Sequence, residues 1–396
     1  MRICYISDVD ISLPNGPGVN EREFVVSLSG KLGNDAIFIM PKINSEIGWH
    51  PQEVHFYPKV SWSLLSKSNL QMLVYSLRQI AEFRKVVKKE SVDLVVFRLN
   101  YNSVLCAIYL GLRKQPYAIK TLGHKGVIKK EQSSKFIRSV FWKMLFSVFN
   151  RAVREAVAID VCTDQYFEYY SRLLPKAKLQ IVENSVNPKR FYPKNKAEMK
   201  AKLGLARFDK LVGYVGGSPS KRGVAQLVEL SPDIRNFHAD CGIVVVGHDR
   251  EINQLKRRAK ELDTEGSFMW AGTVPYEVVT DYINSLDVGI ALDTADRVKN
   301  IGNSSQKIRQ YLACGVPVIC PKGTNSFVEK ENLGILVDCH DLRELLSAIK
   351  KYLSFSNSEA QAFSGRATKF VHENLSSEVA MESRLEFWER ALEGCS

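Results

Sequence analysis

"LVGYVGGSPSKRGVAQLVEL", residues 211–230, decides the fold. Its first five residues form an apolar run of the kind a buried strand needs, and Gly216-Gly217 close it. Two successive glycines allow close approach of backbone to a ligand or a neighbouring strand. Lys221 and Arg222 then open a helix. Strand, glycine turn and basic helix start together make a possible diphosphate cradle. It has neither the Walker lysine-serine spacing nor Gly-x-Gly-x-x-Gly.

The same alternation runs outward in both directions. Downstream, strands are expected at 242–249, 267–274, 288–294, 316–323 and 334–338. Upstream, "VNPKRFYPKNKAE" (186–198) is rich in proline and lysine and reads as a linker. Before it, strands are expected at 2–8, 36–41, 92–98, 117–123, 157–163 and 178–184, with helices at 21–32 and 64–89 between them. Apolar strand runs with helical crossovers predict parallel sheets covered on both faces. The fold class is therefore α/β, with two Rossmann-like doubly wound domains facing across a cleft. The expected division is an acceptor domain over 1–186, a linker over 187–198, a nucleotide domain over 199–375 and a C-terminal helix over 376–396. That helix carries Leu385, Trp388, Ala391 and Leu392 at helical spacing and suits packing back on the first domain.

Composition narrows the function. The chain has 396 residues, 45% of them hydrophobic, as in a soluble protein with a large core. Fifty-five basic against 43 acidic residues give a net charge of +12. Such an excess suits nucleic acid, an anionic membrane or a phosphorylated substrate. The basic residues are dispersed and no nucleic-acid signature is present, so nucleic acid is not expected as a partner. Eight scattered cysteines without a CxxC pair read as reduced thiols of a cytoplasmic protein. "MRICYISD" reads as a strand from its start, not a signal peptide, and no apolar run approaches the roughly 18–20 residues of a membrane span.

Sheets of this kind bind ligands beyond the strand C-termini, so polar residues there are the candidates. In "GNSSQKIRQYLACGVPVI" (302–319), Ser304 or Ser305 is a natural N-cap. A helix start presents free amides and a positive dipole end, suited to phosphate. Lys307 and Gln310 share one helix face. Taken alone, this is equally a capped helix with a solvated lysine. Paired with the 216–222 cradle, two basic helix starts in one domain point to one dianionic ligand.

With these stretches in hand, the chain resembles the GT-B glycosyltransferases, especially the family-four type that uses sugar nucleotides. "YVGGSPSKRGVAQL", "VVVGHDREINQLKRRAKEL", "WAGTVPYEVVTDYINSLDVGIAL", "SSQKIRQYLACGVPVICP" and "IVENSVNPKRFYP" carry the resemblance, which covers nearly the whole chain. It implies a donor diphosphate site of Gly18, Gly216, Gly217, Arg222, Ser304, Ser305 and Lys307. It implies ribose and base contacts at Gln310 and at the turn Thr273-Val274-Pro275. The family's glutamate pair, seven residues between, falls here on Gly302 and Gln310. Gln310 retains neutral hydrogen bonding to a ribose; Gly302 offers no sugar contact. "SSxKxxQY" is also similar to the inverting glucuronosyltransferase of xanthan synthesis, which leaves the anomeric outcome open.

In the first half, "PNGPGVNERE" (14–23) reads as a glycine-rich loop ahead of a helix, either a plain turn or an approach to diphosphate and acceptor. Asp8-Val9-Asp10 resembles a metal-binding Asp-x-Asp but follows the first strand, the wrong place for a metal in this fold. Asp8, Asp10 and Asn20 are read instead as acceptor contacts, and no metal or cofactor is expected. His124 ends a strand, where the resemblance places an active-site group. A histidine titrating near neutrality can take a proton from an acceptor hydroxyl. The segment 129–156 mixes Phe136, Phe141, Met144, Phe146 and Phe149 with Lys135, Arg138, Lys143 and Arg151. It is a core helix with a basic face, or a helix lying on anionic lipid at the inner face of a membrane.

The expected function is transfer of a sugar from a UDP- or GDP-linked donor to a glycan or lipid-linked acceptor. Alternatives are a sugar-nucleotide epimerase of the same fold and a non-catalytic nucleotide-binding scaffold at the membrane.

Overall fold

The computed structural model describes residues 1–13, 16–43, 53–58, 69–98, 103–120, 147–294, 298 and 304–394. The chain divides into two compact units. The first takes residues 1–13, 17–183 and 380–396, and the second residues 14–16 and 184–379.

The first unit holds a seven-stranded parallel sheet in the order β3-β2-β1-β4-β5-β6-β7. Its strands are β1 (Ile3–Ile6), β2 (Ala36–Pro41), β3 (Glu53–Tyr57), β4 (Leu94–Arg98), β5 (Tyr117–Lys120), β6 (Ala158–Val161) and β7 (Leu179–Ile181). β1, β2, β5 and β6 are buried along their whole length, which is why they read as continuous apolar runs. β3 has a different pattern: of EVHFY only Tyr57 is buried, as fits a strand at the sheet edge. Helix Gly16–Leu32 follows β1 and is longer than the sequence suggests. The described part of the expected glycine-rich loop, residues 16–23, is helical. Pro17 is tolerated there because a first-turn amide needs no partner within the helix.

The C-terminal helix Ser377–Glu393 completes this unit's core. Trp388 is fully buried with Ile3, Tyr5, Phe24, Ala118 and Ala158. Its Nε1 donates to Asp160 Oδ1 at 3.0 Å, and Arg384 Nε donates to Asp160 Oδ2 at 2.9 Å. Residues from the far end of the chain thus satisfy a buried carboxylate on β6, which an apolar core cannot solvate.

The second unit holds a six-stranded parallel sheet in the order β10-β9-β8-β11-β12-β13. Its strands are β8 (Lys210–Val215), β9 (Cys241–Val246), β10 (Phe268–Gly272), β11 (Val288–Ile290), β12 (Val318–Pro321) and β13 (Gly334–Val337). Residues 187–198, expected as a linker, pack against this unit. Phe191 is buried, Lys194 Nζ pairs with Asp281 at 2.7 Å, and Lys196 Nζ pairs with Asp287 at 2.7 Å. The lysines that suggested a linker serve as counter-ions to largely buried carboxylates.

Candidate functional site

Strand order fixes where a ligand fits. In the second unit the chain runs from β8 outward to β9 and β10, then returns to β11 on the other side of β8. Connections diverge between β8 and β11, leaving an opening at their C-terminal ends, the usual ligand position in open α/β sheets. Gly216 and Asp293 stand at this point, just past the ends of β8 and β11.

The opening is lined by backbone. Gly216, Gly247 and Gly272 follow or end β8, β9 and β10, and all three have positive φ (148°, 124° and 67°). Gly216 N donates to Val246 O at 2.9 Å, and Gly247 N to Gly272 O at 2.7 Å. A Cβ on Gly247 would lie 1.9 Å from Gly216 O, so only glycine fits. The result is a side-chain-free ledge across three strand ends.

Helix Gln306–Ala313 is seated over the same point. Tyr311 Oη accepts from Val215 N at 2.8 Å and donates to Ile290 O at 3.4 Å, so one phenol ties the helix to both β8 and β11. Gly289 makes room for it, since a Cβ there would lie 2.4 Å from the Tyr311 ring. Ser304 Oγ accepts from Asn184 N at 2.9 Å, fixing the approach to the helix. Ser305 is the N-cap, and its side chain caps no amide. The helix thereby presents its first-turn amides at a topological opening, the arrangement that binds anions.

Lys307 projects from the first turn. Its Nζ lies 5.3 Å from the centre of the Tyr214 ring, and its Cε occupies the space a Cβ on Gly216 would take. Tyr214 Oη donates to Gly217 O at 2.6 Å, fixing the glycine turn from below. Arg222 Nη1 pairs with the buried Asp293 Oδ2 at 3.2 Å. Ser220 N and Oγ donate to Asp249 Oδ2 at 2.9 and 2.6 Å, and Lys221 pairs with Glu251 at 3.6 Å.

The structure therefore brings together Gly216, Gly217, Arg222, Ser304, Ser305 and Lys307 around one opening. Thr273, Val274 and Pro275 follow β10 at the same sheet edge, beyond β9. Gln310 is on the helix but buried, 7% exposed, and offers a ligand little surface. Asp293, Asp249, Gly247 and Gly272 were not singled out from sequence. A signal for the glycines exists: "YVGG", "VVGH" and "WAGT" each end an apolar strand with glycine.

In the first unit the corresponding divergence lies between β1 and β4. A buried polar cluster sits there. Glu21 accepts from the hydroxyls of Tyr5 and Ser7, and Lys120 Nζ lies 3.3 Å from its Oε2. Lys120 Nζ also sits 3.6 Å from the centre of the Phe24 ring. Burial pushes the Glu21 carboxyl up, but Lys120, Arg98 and the two hydroxyls outweigh it and hold it below its ordinary value. Burial pulls the Lys120 ammonium down to about 8, against the pull of Glu21. Asp8 and Asp10 lie in the loop after β1, and Asp10 Oδ1 accepts from Ser12 N at 3.0 Å. Gly18 is buried within helix Gly16–Leu32. Asn20, in the same helix, has a buried Oδ1 that accepts no hydrogen bond from the described residues. His124 and the apolar-basic residues 129–146 lie outside the described residues. Among the described residues no group of three His, Cys, Asp or Glu side chains forms a metal site, and no helix is long and apolar enough to cross a membrane.

Known proteins share the fold. Residues 209–354 match the family model described as Glycosyl transferases group 1. No curated protein matches the chain by sequence. Among solved structures, sucrose-phosphate synthase (tll1590) from Thermosynechococcus elongatus aligns with a TM-score of 0.73 at 17% identity, covering 100% of both chains. Anabaena Alr3699/HepE in complex with UDP aligns with a TM-score of 0.72 at 14% identity, covering 98% of this chain and 100% of that one. A glycosyltransferase from Rickettsia africae ESF-5 aligns with a TM-score of 0.71 at 16% identity, covering 99% of each. The chain has the GT-B fold of two Rossmann-like domains, and its second unit carries the match to the glycosyl transferases of group 1.

Proposed function

We propose that this protein is a glycosyltransferase that moves a sugar from a UDP- or GDP-linked donor to a hydroxyl of a glycan or lipid-linked acceptor. The observation that carries the reading is the opening between β8 and β11. There a glycine ledge, an uncapped helix start and Lys307 converge at one point. That Alr3699/HepE was solved with UDP and with UDP-glucose supports a nucleotide sugar as donor.

The chemistry follows from charge. Breaking the anomeric C–O bond leaves negative charge on the departing diphosphate. Lys307, Arg222 and the first-turn amides of helix Gln306–Ala313 are positioned to receive it, so they stabilise the transition state more than the ground state. In this reading no metal or cofactor takes part, and side chains and amides supply the neutralisation. Gly216 and Gly217 let the diphosphate approach the backbone, and Thr273-Val274-Pro275 edge the base. His124 takes the acceptor proton, and the first unit holds the acceptor through Asp8, Asp10 and Asn20.

A lipid-linked acceptor accounts for the apolar and basic residues at 129–146 and the net charge, and implies peripheral attachment at the inner face of a membrane; Phe149, Ala152 and Val153, further along the stretch, are buried in the first unit and take no part. Co-sedimentation with anionic vesicles, weakening as salt is added, is the expected result. Absence of binding even at low salt would remove the membrane from the reading.

The function itself is tested by incubating the protein with a panel of radiolabelled UDP- and GDP-sugars and a membrane extract. Transfer of label from one donor into glycan or lipid is expected. Interconversion of the donor sugar without transfer would make the protein an epimerase, and binding without turnover would make it a scaffold.

A further inference from the structure

The sheet edge holds a second relationship, resting on the donor-site reading. Arg222 Nη1 lies 3.2 Å from Asp293 Oδ2, and the two side chains differ sharply in access: Arg222 is 21% exposed and Asp293 1%. An arriving anion therefore meets the guanidinium, while the carboxylate is out of reach behind it. The contact is built from both sides. Asp293 Oδ1 accepts from Thr294 N at 2.9 Å, which fixes the carboxylate at the end of β11. Gly223, at φ 102°, brings the loop against β11; a Cβ there would lie 2.8 Å from Ile290 Cγ2 and 3.2 Å from Leu292 Cβ.

The neighbours of Arg222 also meet carboxylates. Ser220 is fixed by Asp249, and Lys221 makes an exposed pair with Glu251 at 3.6 Å, so residues 220–222 each have an acidic partner. Of these partners Asp293 alone follows β11, across the divergence from the other two, which follow β9.

We infer that Asp293 is a positioning residue for the donor diphosphate: it holds Arg222 in the phosphate-binding rotamer without itself touching the ligand. A free arginine loses rotamer freedom when it grips a phosphate, and one already oriented by a carboxylate has lost it beforehand. The guanidinium has five N–H donors, so pairing through Nη1 is compatible with donation to phosphate oxygens from the others.

The test is calorimetric titration of UDP and GDP into wild type, Asp293→Ala, Arg222→Ala and the double variant, with uridine and guanosine as controls. Asp293→Ala is expected to weaken the preferred nucleoside diphosphate about three- to tenfold, the range for one immobilised side chain. The nucleoside controls should not change. The double variant should bind no more weakly than Arg222→Ala, because the two residues act through one guanidinium. Asp293→Asn, which keeps an acceptor oxygen without the charge, should bind at least as tightly as wild type. If Asp293→Ala does not fold, Asp293→Ser serves in its place. The inference is overturned if truncation leaves diphosphate affinity unchanged or raises it, or if its loss adds in full to that of Arg222→Ala. Failure of the wild type to bind either diphosphate would instead remove the donor site itself.

Discussion

A Cβ placed on Gly216 would lie 2.1 Å from Cε of Lys307, so the glycine after β8 and the lysine of helix Gln306–Ala313 share one space. The lysine reaches the strand end because no side chain stands there. At φ 148° the backbone of Gly216 is also in the region that disfavours other residues. Gly216→Ala should displace the flexible end of Lys307 while the fold survives. Affinity for the bound nucleoside diphosphate should then fall by about tenfold, the scale of one charge-assisted hydrogen bond. Gly266→Ala, in the same unit but outside the site, where a Cβ would meet nothing within 4 Å, is the matched control and should bind as wild type.

His124→Ala should separate chemistry from binding. Loss of a general base lowers turnover by roughly 100- to 10,000-fold. Nucleotide affinity, set by the second unit, should not change. Near-normal turnover in the variant would make His124 a structural residue.

The buried pair in the first unit supports a stability prediction. Removing one partner of a buried ion pair leaves the other uncompensated, at a cost of about 3–5 kcal/mol. Lys120→Met should be destabilised on that scale in denaturant unfolding, and adding Glu21→Gln should recover part of it. Glu21 also sets an acid limb. Its folded pKa is below the ordinary 4.5, so its stabilisation is fully present above that value and is lost as pH falls through the folded value. Glu21→Gln should flatten this limb.

Trp388 tests the role of the C-terminal helix. It is fully buried in the first unit's core and bonded to Asp160. Trp388→Ala should cost about 3–5 kcal/mol, seen as earlier melting of the first unit. Unchanged melting would mean the helix is not part of that core.

These features differ in how far the sequence discloses them. The doubly wound plan is legible because strands such as ICYI and CGIVVV are buried on both faces and read as apolar runs. β3 is not, because an edge strand buries one residue of five and EVHFY carries no such run. The start of helix Gly16–Leu32 is hidden by glycine and proline, which look like a loop although a first helical turn admits both. At the site, glycine turns and the basic helix starts stand out as local patterns. Asp293 does not, because a single aspartate after a strand gains meaning only once β11 lies beside β8. Glu21 and Lys120 are 99 residues apart and meet only through sheet order.

A nucleoside diphosphate is expected to bind at the opening between β8 and β11, where Lys307 is the side chain placed most directly. Calorimetric titration of UDP and GDP into wild type and Lys307→Ala tests it. One of the two should bind the wild type and bind the folded variant at least about tenfold more weakly. Equal affinity in the two proteins, or no binding of either nucleotide to the folded wild type, would contradict it.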